Sequence, residues 1–203
     1  MWSLLGRKTQ VTLILAAGLL TAWAIDGAYA LALHRDPGFL KTLSLAVTIV
    51  GTILVAGTEA GWRWLWRRFP ALGRKAFPDL NGKWAGTLHS TWINPQTGSG
   101  IDPIPAEIRV RQGLFATSVS LKTAESESHS TRCILERFPE TGRFRVWYSY
   151  NNDPAARVRD RSSPHEGVAF LEFAPEADAA RLTGRYYTAR KTTGDIDVTR
   201  EEA

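Results

Sequence analysis

Tyr148, Tyr150 and Asn152, then Tyr186, Thr188 and Arg190, recur two residues apart in two stretches of alternating sequence. In an extended strand such residues share one face. Each set therefore gathers aromatic rings with an amide, a hydroxyl or a cation. Aromatic side chains stack on nucleobases of any identity, and arginine pairs with phosphate through a planar fork of donors. Thr123, Ser126, Ser128 and Asn152 add hydroxyl and amide groups that can read base edges. Trp92 ends a third alternating stretch, Trp84, Gly86, Leu88, Ser90, Trp92. The chemistry is reversible binding of a nucleotide-like ligand. A plainer reading stays open on pattern alone. Ser126 and Ser128 would lie on a solvated strand or turn, and the tyrosines would fill a core with their hydroxyls at its rim.

Residue types for catalysis are sparse. His89, His129 and His165 are isolated along the chain. A phosphate-binding glycine loop, a metalloprotease histidine pair, a cysteine–histidine zinc pattern and a nucleophile elbow are all missing from the sequence. No catalytic residue, metal ligand or cofactor is assigned, and the expectation is a protein that is not an enzyme. The single cysteine, Cys133, rules out a disulfide within the chain and fits a reducing compartment. It reads as a small buried hydrophobe. Much of the net charge of +5 sits beside apolar segments, so it does not argue for a nucleic acid polymer as partner.

The elements that must position these groups are strands. From Gly82 onward the apolar period is two. Alternation places strands at 82–92, 104–112, 114–123, 127–138, 143–151, 166–174, 180–190 and 195–200. Turn residues such as Glu140-Thr141-Gly142 and Thr193-Gly194-Asp195 separate most of them, with longer loops at Asn94–Pro103 and 151–164. Short strands joined by tight turns predict an eight-stranded up-and-down barrel, because closure removes the sheet edges. Such a barrel holds packed side chains or one small ligand. The predicted inward faces carry leucine and valine toward one end. Toward the other they carry Trp92, Tyr148, Tyr150, Asn152, Tyr186, Thr188 and Arg190, a packed floor under a polar aromatic mouth.

Ahead of the strands lie two apolar segments, Val11–Leu33 and Leu43–Ala60. A helix crossing the hydrocarbon core needs about 20 apolar residues. The short link between them, with Pro37 and Gly38, predicts a transmembrane hairpin. A collar, Trp62-Arg63-Trp64-Leu65-Trp66-Arg67-Arg68, follows the second segment, and Arg7 and Lys8 precede the first. Positive flanks predict that both ends lie in the cytoplasm, with tryptophans at the interface. The alternative for the first segment is a signal peptide cleaved near Ala28-Tyr29-Ala30. The expected division is a membrane hairpin at 1–68, a linker at 69–76 and a cytoplasmic β-barrel at 77–203. Asp26 and Glu59 fall within or beside the spans. Intramembrane carboxylates are costly and tend to be functional, which marks Asp26 for membrane function, while Glu59 fits an interfacial position. Gly57 and Gly61 form a small-xxx-small pair that permits close helix contact.

Four stretches resemble a known family. Phe77-Pro78-Asp79-Leu80-Asn81-Gly82-Lys83-Trp84-Ala85-Gly86, following the two apolar segments, is similar to the start of the barrel in the two-transmembrane effectors of bacterial CBASS anti-phage systems. Thr123-Ala124-Glu125-Ser126-Glu127-Ser128 resembles that family's T-x-x-S-x-S stretch. Tyr148-Ser149-Tyr150-Asn151-Asn152-Asp153-Pro154 with His165-Glu166-Gly167 resembles its Y-x-Y-x-N-x-P and H-x-G stretches. Gly184 to Gly194 resembles its G-x-Y-x-T-x-R-x-T-x-G ending, with the last threonine at Thr192 or Thr193. The resemblance implies a cyclic dinucleotide, made by a partner synthase, as the ligand. It implies binding through Thr123, Ser126, Ser128, Tyr150, Asn152, His165, Tyr186, Thr188 and Arg190. It further implies ligand-induced homo-oligomerisation and damage to the bacterial inner membrane. Two rivals are kept: a constitutive membrane-anchored binding protein for a small apolar ligand, and a membrane-anchored enzyme.

Overall fold

The computed structural model describes residues 6–34, 37–56, 64, 68, 78–113, 115–174 and 178–201. The chain divides into two compact units, Met1–Arg68 and Phe69–Ala203. Most of the collar at 62–68, Glu59, Gly57, Gly61 and the expected linker at 69–76 lie outside the described residues.

The first unit contains helix α1 (Arg7–Leu33) and helix α2 (Phe39–Ala56). Its outward side chains are apolar on most sides: Leu15, Leu19, Leu20, Trp23, Leu31, Phe39 and Leu40 are all exposed. A helix that is apolar all round needs a surrounding apolar medium. The stretch Arg7–Ala32 is long and apolar enough to cross a membrane, whereas the apolar run of α2, Phe39–Ile53, is shorter. Hydroxyls inside the helices bond backward to their own backbone, Thr21 to the Ala17 carbonyl at 2.8 Å and Thr48 to that of Ser44 at 2.8 Å. Such internal satisfaction is what lipid demands of polar groups. The helices meet around Ile25, Thr42 and Ala46, where the Thr42 hydroxyl donates to Oδ1 of Asp26 at 2.8 Å.

The second unit is a closed antiparallel barrel of eight strands in sequence order. They are β1 (Gly82–Ser90), β2 (Ile104–Gln112), β3 (Thr117–Thr123), β4 (Ser126–Phe138), β5 (Arg143–Pro154), β6 (His165–Ala174), β7 (Asp178–Thr188) and β8 (Thr193–Arg200). β1 pairs with both β2 and β8, which closes the sheet. The alternation holds throughout: Trp84 and Leu88, then Ala106, Ile108 and Val110, then Phe144, Val146, Tyr148 and Tyr150 are buried inside. The strand bounds expected from sequence differ at two ends that matter for the site. β1 stops at Ser90, short of Trp92, and β7 stops at Thr188, short of Arg190.

The chain enters at the lower rim, and a polar network seals that end. The buried Gln112 side chain accepts from the Leu80 amide at 2.8 Å and donates to the Pro78 carbonyl at 3.1 Å. Asn81 exchanges two bonds with the Gln112 backbone. Above this plug Trp84, fully buried, donates its indole N–H to the Leu80 carbonyl at 3.1 Å. The Arg200 guanidinium lies 4.4 Å over its ring, and Phe173 meets it edge-on at 6.4 Å. Trp84→Ala removes this keystone and leaves a cavity. It should destabilise the barrel by about 3–5 kcal/mol, read as a fall in urea midpoint with the slope unchanged.

A candidate ligand-binding mouth at the upper rim

The register brings most of the expected site residues to the upper rim. Ser128, Asn152 and His165 are direct neighbours across β4, β5 and β6. One step lower, Tyr150, Gly167 and Thr188 are neighbours across β5, β6 and β7. Lower again, Tyr148, Ala169, Tyr186 and Gly194 run from β5 to β8, and Gly194 pairs with Ser90 of β1. The three rows descend as a stair from polar to aromatic. Tyr148 and Tyr150 lie on the same strand face with ring centroids 6.0 Å apart.

The rings have room because glycines lie beneath them. A Cβ built on Gly167 would stand 2.3 Å from Cζ and Oη of Tyr150, and one on Gly194 would stand 2.6 Å from the Tyr186 ring. The glycines of H-x-G and of the T-x-G ending are therefore sockets for the mouth tyrosines.

Burial sets the protonation of these groups. It pushes the Tyr150 phenol up to about 12, with the neighbouring Tyr186 adding to the rise and Arg190 opposing it. Burial likewise raises Tyr148 and Tyr186. All three remain neutral O–H donors at physiological pH. Burial pulls the His165 imidazole below its ordinary value, and Arg190 pushes in the same direction. His165 is neutral at pH 7, with Nδ1 3.0 Å from the Ser163 carbonyl oxygen.

Arg190 is not on a strand face, as the alternation implied, but in the turn between β7 and β8, where it is exposed. Its guanidinium donates to the Ser162 hydroxyl at 2.9 Å. Among the described residues it has no acidic partner. The other rim arginines are already engaged. Arg157 donates to the Ala124 carbonyl at 2.7 Å, Arg159 to Asp153 at 2.8 Å, and Arg161 pairs with Glu125. Arg157 and Arg161 pin the loop after β5, with its short 3-10 turn Ala156–Val158 and buried Val158, against the β3–β4 turn, while Arg159 ties the loop back to the end of β5. This clamp, and Ser162 within it, escaped the sequence reading. The alternating Arg157, Arg159 and Arg161 were the available signal.

Several expected ligand contacts have structural duties. Trp92 lies beyond the end of β1, 39% exposed, with its amide donating to the Ser90 hydroxyl oxygen. It is not part of the buried core, and the strand expected to carry it ends two residues earlier. The Thr123 hydroxyl accepts from the amides of Glu125 and Ser126 and shapes that tight turn. Ser126 meets the Thr123 hydroxyl at 3.3 Å. The Thr188 hydroxyl contacts that of Thr192 at 2.7 Å inside the β7–β8 turn. Ser128 is buried, with its hydroxyl 3.5 Å from the Leu121 carbonyl. Asn152 is half-buried, and its side-chain amide has no hydrogen-bond partner among the described residues. His89 and His129 do not join His165: they face outward, beside Thr87 and Glu127.

What remains at the rim is a set of neutral aromatic donors, a free amide and a cation that lacks an acid, ringed by hydroxyls. It suits a planar heteroaromatic ligand carrying phosphate. The family model described as Cap15, cyclic dinucleotide receptor domain, matches residues 75–200. The chain belongs to this family. It is also 29% identical over 160 residues to CD-NTase-associated protein 15 of Staphylococcus schleiferi, spanning 78% of this chain and 79% of that one. The resemblance to CBASS effectors read from the motifs thus holds along most of the chain. The barrel is a cyclic dinucleotide receptor domain by family, and its upper rim gathers aromatic, amide and cationic groups.

Proposed function

We propose that this chain is a non-enzymatic CBASS effector of the bacterial inner membrane. A cyclic dinucleotide from a partner synthase enters the mouth, stacks on the tyrosines and pairs a phosphate with Arg190. The ligand acts by binding an assembly-competent state more tightly than the resting one, the only way it can shift the population. Assembled barrels then gather their hairpins, and the crowded helices disrupt the bilayer. Both α1 and α2 cross the membrane in this reading, with both termini cytoplasmic. The observation that carries the proposal is the acid-free Arg190 beside buried tyrosines in a Cap15 receptor domain. A panel of cyclic dinucleotides should test it. One member should raise the melting temperature of the barrel, as a ligand specific to the folded state must. A flat response to the whole panel would remove the receptor role.

Asp26 belongs to the membrane step. In one hairpin its carboxylate is satisfied by Thr42 across the helix pair. In a cluster, several carboxylates on adjoining helices form a polar seam that admits water. Asp26→Leu should leave ligand binding and assembly intact while cutting dye leakage from liposomes several-fold. Leakage equal to wild type would leave helix crowding alone as the cause.

A further inference from the structure

The barrel is closed by unequal ladders. β4 pairs with β5 along almost its whole length, from Ser126 to Phe138. Its ladder with β3 contains only Ser120–His129, Leu121–Ser128 and Lys122–Glu127. Below these the strands part. A bulge interrupts β4 between Ser130 and Arg132. The next amide of β3, Val119, donates to the Ser130 side-chain oxygen at 2.9 Å instead of to a backbone carbonyl. From Arg132 to Phe138, no residue of β3 pairs with β4 among the described residues. Among the described residues, alternate N–H and C=O groups of that segment have no backbone partner along this edge. Cys133 and Leu135, which point inward, are only half-buried beside it. An open edge of this length is a template for another strand, and folds usually cover it.

We propose that the edge Arg132–Phe138 is a self-association surface that takes the same segment of a second copy, antiparallel across a two-fold axis. This deepens the assembly step of the proposed function and rests on it only for its timing. The sequence of the edge selects both partner and register. Pleat parity excludes any register that sets inward against outward residues. Among the remaining ones, an axis at Ile134 places Ile134 against its copy, Cys133 against Leu135 and Arg132 against Glu136. Apolar residues then meet on the inner face and opposite charges on the outer. An axis at Leu135 would instead set Ile134 against Glu136 and Cys133 against Arg137. The partners are ready for the first arrangement. Arg132 is exposed and makes no ion pair among the described residues. Glu136 spends Oε2 on the Trp147 indole at 2.9 Å and keeps Oε1. Ile134 is 51% exposed and continues a row with its outward neighbour Trp147, which in turn packs on Phe170 with centroids 4.9 Å apart. A symmetric edge contact is isologous, so it closes a pair and leaves other faces for higher assembly.

The test uses the full chain in liposomes at fixed protein density. In a Cys133→Ser background, Ile134→Cys places thiols opposite each other, about 5 Å apart at Cβ, within reach of a short bis-maleimide. Thr199→Cys, outward on β8, reports random collision. Crosslinking at 134 should exceed that control by roughly tenfold, as expected when a specific contact raises effective concentration. Arg132→Glu should bring it down to the control, since glutamate then opposes Glu136, and adding Glu136→Arg should recover part of it. Equal rates at 134 and 199, or no response to Arg132→Glu in a chain with unchanged circular dichroism, would overturn the edge contact. Native electrophoresis with the cyclic dinucleotide panel separates the two readings. Ligand-driven assembly without the 134 crosslink sinks the edge and keeps the effector. The 134 crosslink without ligand-driven assembly does the reverse.

Discussion

Gly167→Ala should cost the barrel about 1–3 kcal/mol of stability, the range for overpacking a filled site, and should cost ligand affinity more than tenfold. The added methyl would stand 2.3 Å from the Tyr150 ring and 2.5 Å from the Tyr187 carbonyl oxygen. The ring can swing aside, but the carbonyl belongs to the chain paired with β6 and cannot. Tyr150 must then leave its place, taking with it the contact of its hydroxyl to the Tyr187 carbonyl at 3.4 Å. Stability and binding fall together because one glycine serves both. Gly100→Ala is the control: a methyl there meets nothing within 4 Å, so denaturation and calorimetric titration should match wild type. A folded Gly167→Ala barrel with wild-type affinity would place the ligand away from Tyr150.

The same glycine shows what could be read from the sequence. The H-x-G motif is visible in the string, but a glycine's reason is a neighbour's ring, and neighbours across a sheet need a register. Strand positions were legible because every strand is half-buried and alternates between core and solvent. Strand ends were not. Trp92 and Arg190 follow the period of β1 and β7 in sequence, while the chain has already turned away. The hydroxyls of Thr123 and Thr188 were recognised by motif, yet the same chemistry that binds a ligand also caps a turn. The bulge after Ser130 left no mark, since it depends on which strand β4 fails to meet. In the helical unit the apolar runs were plain, and the link between Asp26 and Thr42 was not, because it crosses from one helix to the other.

Arg190→Ala should weaken ligand binding by roughly 10- to 100-fold, the loss of about 1.5–3 kcal/mol expected for one charge-assisted hydrogen bond. The reason differs from the one the alternation offered. Arg190 does not endure burial on a strand; it stands exposed on a turn, held by a neutral hydroxyl. That state leaves its charge available. Its field already reaches the mouth, lowering the pKa values of Tyr150, Tyr186 and His165 relative to what burial alone would give the tyrosines and adding to the fall of His165. A phosphate arriving there trades water for a guanidinium fork without breaking an ion pair. Lysine should restore only part of the affinity, because a point charge lacks the fork. Arg185→Ala is the matched control: it is an exposed cation on β7, but Asp195 already pairs it at 3.2 Å, so affinity should hold within about twofold. Raising salt should weaken wild type more than Arg190→Ala, since an exposed pair is screened over roughly 10 Å at moderate ionic strength. If Arg190→Ala and Arg185→Ala bind alike and share one salt slope, the phosphate lies elsewhere, and the tyrosine mouth binds its ligand by stacking alone.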